Sequence, residues 1–339
     1  MTDDSDNISQ ELLQEIHNFD LSEVKNPHDR LFKWSLGRPD VMNDYLNLIL
    51  PESQAKALNL ETLDTTNDNY VDDLIKETFS DVVYKVKRTT EEETVISLLF
   101  EHKSSPDKIT PLKLLRYITN AYFDNFKDGE TTQIIPILFY HGSSNWNIPR
   151  KLSEILEGDI TPFHKHTPEF EYIFTDLDEA VDLLDDTTKP ELKVYIEALR
   201  IANAEDIEEA SQRFKNCIEI FKEPGWPSEI LRLRFLQVFL IYQSKVSRLA
   251  QELNIFDIAK QVYPERSDEI MSLYDTIQEE GKDQGIKLTL LEQLKIKFSE
   301  PIPEEIKEKI EEADRDTLSK LRDKMFEIES LDDVRELLN

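Results

Sequence analysis

The chain has 339 residues, of which 39% are hydrophobic, and a formal charge of −30 from 40 Lys and Arg against 70 Asp and Glu. That size and apolar content suit two domains, or one large domain with an extension. Seven glycines, with no GxGxxG or GxxxxGK[ST] string, argue against a glycine-rich nucleotide loop, and the single Cys217 excludes an intrachain disulfide and a paired-cysteine zinc site.

The acid is unevenly spread. Residues 1–25 carry seven acids and one base, 26–150 nineteen acids and fourteen bases, and 151–339 forty-four acids and twenty-five bases. A net-acidic chain repels nucleic acid at long range, although a local basic cleft or a divalent metal can overcome this. The start, MTDDSDNISQELL, is acidic and polar, the reverse of a signal peptide, and no apolar run approaches a bilayer-spanning length. A cytoplasmic protein with no membrane partner is the expectation.

Residues 1–25 read as a mobile acidic arm with one short helical turn. NPHDRLFKWSLG starts a helix, with Asn26 as cap and Pro27 in the first position. VMNDYLNLIL (41–50) has helical spacing and stops at Pro51. LNLETLDTT (58–66), DVVYKVK (81–87) and TVISLLF (94–100) read as strands, by alternation or by β-branched and aromatic content. TPLKLLRYITNAYFDNF (110–126) is an amphipathic helix with a Thr cap and Pro111 at its start. QIIPILFYHG (133–142) is an apolar strand whose Pro136 suggests an edge or a bulge. From about residue 150 the text is helical, with SEPIPEEI (299–306) as the clearest stop and restart. The expected division is the arm 1–25, an α/β core over 26–155 and an all-helical extension over 156–339.

The apolar run 95–100 ends abruptly in Glu101, His102 and Lys103. Residues i and i+2 share a strand face, so Glu101 and Lys103 sit together above Val95, Ser97 and Leu99. The other face carries Ile96, Leu98 and Phe100, which implies a central strand covered on both sides. If the turn in KRTTEEET centres on Glu91, paired residue numbers across the hairpin sum to 182, and Asp81 falls opposite Glu101. Two carboxylates and an ammonium at a strand end suit a hard divalent cation such as Mg²⁺, with the backbone carbonyl of His102 as a third protein ligand. Lys103 would position or deprotonate the attacking water. A structural salt-bridge cluster is the rival reading of the same three residues.

The stretches NPHDRLFK, SDVVYKV, LLFEHKSSPDKIT, LKLLRYI and QIIPILFYHG, in that order, resemble the Rpn-type recombination-promoting nuclease or transposase family of the PD-(D/E)XK nuclease superfamily. The resemblance covers roughly 26–145, and more weakly GIKLTLLEQLKIKFSEPIPEEI (285–306). It implies a metal-dependent DNA endonuclease core, with a mixed sheet of about four strands flanked by helices and with Asp81, Glu101 and Lys103 as its acid, acid and lysine. On the following helix, where the family carries Gln or Arg, this chain has Lys113, which keeps a cation there. His28 and Asp29 match the family's early motif, and their plainer reading is a hydrogen-bonded helix start.

DNA is the expected partner, and the helical extension offers a surface for homo-oligomers. The rival for the whole chain is a catalytically silent protein whose acidic helices bind a protein partner or mimic DNA. Tyr140, His141 and Gly142 read as a turn or a groove wall. His164 and His166 have the spacing of a metal pair but no third ligand nearby, and Cys217 reads as a core residue.

Overall fold

A computed structural model of the chain describes residues 27–65, 82–89, 95–127, 133–156, 158–159, 161–247, 252, 254–298, 301–325, 327–328 and 330–338. Its contacts fall into two compact units that part between Arg266 and Ser267.

The larger unit opens with α1 (Pro27–Ser35), α2 (Pro39–Ile49) and the single turn α3 (Glu52–Ala55). Pro27 and Pro39 stand at helix starts, where a missing N–H costs nothing. Leu50 leaves α2 in extended backbone, the conformation that the following Pro51 favours. The chain continues through β1 (Leu58–Thr65), β2 (Val82–Arg88), β3 (Val95–Lys103), α4 (Thr110–Lys127), β4 (Gln133–Tyr140) and β5 (Ile173–Asp176). These strands form one sheet in the order β1-β2-β3-β4-β5. The first three are antiparallel neighbours, while β4 runs parallel to both β3 and β5. Helices α5 (Leu177–Leu183), α6 (Pro190–Ala202), α7 (Ile207–Ile220), α8 (Glu229–Val246) and α9 (Ile255–Val262) complete this unit.

Both faces of the sheet are covered, as the apolar run of β3 requires. On one face Val83, Leu138, Tyr140 and Phe174 pack with Leu114, Tyr117, Ile118 and Ala121 of α4. On the other, Phe139 meets Tyr45 of α2 and Tyr195 of α6, with ring centroids 5.9 and 6.0 Å apart. The Tyr84 hydroxyl donates to the Leu36 carbonyl, which pins the turn after α1 to the sheet. Lys189 ties the start of α6 to α2 through its backbone N–H to Asp44, 2.8 Å, and its ammonium to the Asp40 carbonyl, 2.8 Å. Phe139 is wholly buried at the centre of this packing. Phe139→Ala should therefore lower stability by about 3–5 kcal/mol, read as a fall in the urea midpoint at unchanged slope.

Two expectations need correction. The sheet has five strands where about four were expected, and β5 lies inside the segment expected to be all-helical. Pro136 does not mark an edge strand, because β4 lies between β3 and β5. Its tolerance has a local cause: Pro136 pairs with Leu99, but β5 joins β4 only from Ile137 onward. Over residues 133–136 β4 has a described strand on one side alone, so the missing N–H of Pro136 breaks no bond to β5.

The smaller unit contains α10 (Ser267–Phe298), α11 (Glu304–Glu312), α12 (Arg315–Asp323) and α13 (Leu331–Leu337). Leu290, Leu294, Ile306, Ile310, Leu318, Leu321 and Val334 form its core. Pro301 and Pro303 separate α10 from α11, as the sequence suggested. No helix among the described residues is long and apolar enough to cross a membrane.

Candidate active site

The three parallel strands bring their C-terminal ends to one edge of the sheet, at Lys103, Tyr140 and Asp176. Ligand sites in such sheets form at that edge. The β2–β3 hairpin has the expected register, since every pair from Val82↔Phe100 to Lys87↔Val95 sums to 182. Asp81 is the next residue before Val82 and lies outside the described residues. Glu101 and His102 occupy the last positions of β3 before Lys103, in register with Leu138 and Phe139. Leu138 and Tyr140, the register partners of Glu101 and Lys103, belong to the face that packs under α4.

The backbone also indicates where the carbonyl of His102 points. His141 N–H donates to the Lys103 carbonyl at 2.8 Å, so Lys103 directs its backbone groups toward β4. Alternation along a strand then turns the His102 carbonyl toward the β2 side, where the described part of β2 stops at Val82. A carbonyl and two carboxylates are hard oxygen donors of the type Mg²⁺ takes, and in this respect the residues fit the cation. Among the described residues, no group of three or more His, Cys, Asp or Glu is placed to hold a metal ion.

Lys103 is half-buried where β3 leaves the sheet. Lys113, on the first turns of α4, forms an ion pair with Asp107 at 2.8 Å. Partial burial opposes ionisation of Asp107. The hydrogen bonds from Lys113 and the Ile109 N–H, with the charges of Lys113 and Lys103, outweigh it and hold the carboxyl below the usual carboxylate range. The two lysines are thus held around one acid, and Asp107 is the site residue that sequence reasoning missed. Its signal was present in SSPDKIT: the Asp107 side chain accepts from Ile109 N–H at 3.1 Å and its carbonyl from Thr110 N–H at 2.9 Å, a local turn that launches the helix.

Gly142 follows β4 and approaches the same strand end closely. A Cβ there would run into the Ser104 carbonyl oxygen and the Tyr140 hydroxyl. Gly142→Ala should push the two strand ends apart and cost about 1–3 kcal/mol, visible as a lower melting temperature. Beside it a polar cleft of about 570 Å³ is lined by Tyr140, Trp146, Asp176, Arg200, Asn203 and Arg213. Tyr140 and Gly142 thus line a groove, while His141 between them is buried.

His28 reaches across the unit: its Nδ1 lies 3.1 Å from the Tyr242 hydroxyl of α8, and its ring 5.1 Å from the ring of His141. Burial lowers its pKa. These contacts place it among α1, α8 and the end of β4, on the face opposite α4. His166 lies on a short 3₁₀ segment, and Cys217 is wholly buried with its thiol pKa raised well above the ordinary value by burial.

The larger unit is thus a mixed α/β fold whose central strand ends in Glu-x-Lys. The chain matches the family described as "Putative transposase, YhgA-like" over residues 26–224, and it belongs to that family. It is 35% identical to recombination-promoting nuclease RpnA of Escherichia coli K12 over 118 residues, which is 34% of this chain and 40% of that protein. It is 32% identical to recombination-promoting nuclease RpnD of E. coli O157:H7 over 123 residues, 35% of this chain and 47% of the relative. It is also 32% identical over 126 residues, 37% of this chain and 42% of the relative, to the E. coli K12 protein named inactive recombination-promoting nuclease-like protein RpnE. The chain therefore spans less than half the length of these curated relatives. No solved structure matches it significantly.

Proposed function

We propose that this chain is a divalent-metal-dependent DNA endonuclease that hydrolyses phosphodiester bonds, in a setting linked to recombination or mobile DNA. The observation that carries the reading is the β2–β3 register, whose constant sum, if continued by one pair, would set Asp81 against Glu101 beside Lys103. The names of the RpnA and RpnD relatives support it. A divalent cation held by Asp81, Glu101 and the His102 carbonyl would supply positive charge to a phosphoryl oxygen. Lys103 would orient the attacking water, take its proton while in the neutral amine form and, as the ammonium so produced, offset charge on the five-coordinate phosphorus. Lys113, anchored on Asp107, keeps a second cation next to that charge.

A second reading, a catalytically silent protein that binds a partner through its acidic surface, draws on the charge of −30 and on the relative named inactive. One assay separates them. The purified full chain should nick or cut plasmid and linear DNA with Mg²⁺ and stop with EDTA. Absence of cleavage across Mg²⁺, Mn²⁺ and Ca²⁺ by a folded chain would leave the silent reading standing.

A further inference from the structure

Helix α4 begins beside the candidate site and runs away from it. Its inner side carries Leu114, Tyr117, Ile118 and Ala121. Its outer side carries Leu112, Arg116, Thr119 and Phe123, which follow one another at i, i+4, i+7 and i+11 and are all exposed. At 1.5 Å per residue this stripe is about 16 Å long. Leu112 is 47% exposed, Phe123 66% and the flanking Tyr122 45%. Large apolar and aromatic side chains turned to water along one line mark an interaction surface.

Charge identifies the kind of partner. Between Lys103 and Lys127 five bases stand against two acids, Asp107 and Asp124, in a chain of net charge −30. Lys108 and Arg116 are exposed, and Lys113 is bonded to Asp107 at the helix start. A two-fold pairing of this stripe with a second copy would bring Arg116 against or near its own counterpart, between two strongly acidic chains. A polyanion instead meets the local excess of base at close range, which works against the long-range repulsion of the acidic chain. The exposed rings narrow the choice further. Duplex DNA offers phosphates outward while its bases stay stacked, whereas a single strand offers both phosphates and base faces.

We infer that the stripe Leu112–Arg116–Thr119–Phe123 of α4, with Tyr122, docks a single DNA strand and leads it to the end of β3. Phe123 and Tyr122 stack on bases, and Arg116 and Lys108 meet phosphates. This rests on the nuclease reading and adds to it the form of the substrate and its path across the surface.

The test measures the affinity of the full chain for a labelled oligothymidylate and for a duplex of equal length, without Mg²⁺, across a salt series. Phe123→Ala should weaken single-strand binding roughly 5- to 100-fold with little change in salt slope or in duplex binding. Arg116→Ala should weaken both and reduce the slope by about 0.7 for the single strand. Thr119→Lys, on the same exposed line, should tighten binding and steepen the slope. Melting curves check that these surface changes leave the fold intact. Wild-type protein that cleaves DNA but binds it with an affinity indifferent to all three changes overturns the stripe and leaves the nuclease reading in place. A Phe123→Ala chain with altered mass by light scattering and unaltered DNA affinity assigns the stripe to self-association and overturns the inference. Wild-type protein that neither binds nor cleaves DNA overturns the nuclease reading and the stripe with it.

Discussion

Replacing Asp81 or Glu101 with alanine should abolish Mg²⁺-dependent cleavage and leave the fold intact. The hairpin register of 182 holds over all six pairs from Val82↔Phe100 to Lys87↔Val95, and one further pair, if the register continues, would set these two acids side by side. A Mg²⁺ ion bound to protein is held by only one or two carboxylates, so losing either removes much of the site. Charge stabilisation by the metal contributes several kcal/mol to the transition state, which corresponds to about 10³-fold or more in rate. Glu101 falls near the end of β3, two residues before Lys103 closes the strand, and circular dichroism with melting curves on each variant checks that the fold survives. A Mg²⁺ titration by calorimetry, paired with single-turnover cleavage, reads both effects. Wild-type cleavage by either variant would remove that acid from the site.

Lys103→Met should keep Mg²⁺ affinity within a few-fold and lower the cleavage rate by about 10²-fold or more. The residue is half-buried at the end of β3, and its charge contributes to holding Asp107 ionised. A lysine that only screens carboxylates can be replaced by the metal itself. A lysine that acts on the attacking water cannot. Raising Mg²⁺ therefore restores cleavage in the first case and not in the second, and full restoration would make the residue an electrostatic spacer. Because Lys113 keeps its own bond to Asp107, the variant retains a second cation at the site, and melting at saturating Mg²⁺ reports any loss of packing.

Much of the sheet was legible because its signals are local. The β-branched and aromatic run of β2, the two-faced apolar run of β3, and the Thr110-Pro111 start of α4 each state their own conformation. The polar stretch between β2 and β3 is short, so its centre set the register, and with it the placing of Glu101 and Lys103 at the strand's mouth. Asp107 escaped notice because its local role, launching α4, hides its distant one of holding Lys113. His28 likewise looked like part of a helix start, yet its described partner, Tyr242, lies 214 residues along the chain.

The amino-acid sequence by itself determined the order of elements from β1 to β4, the hairpin register and the grouping of Glu101, His102 and Lys103 at the end of β3. These follow from alternation, turn length and the cost of burying ions, which act between near neighbours. The tertiary structure alone decided that Ile173–Asp176 is a strand, that Pro136 is tolerated inside the sheet, and that the chain parts after Arg266. A four-residue segment is too short to show a period, and only the exposed side of β4 from Ile137 onward makes it a strand. The same holds for the outer face of α4: its spacing was plain in the sequence, but that Phe123 and Leu112 remain uncovered depends on what the rest of the chain packs against.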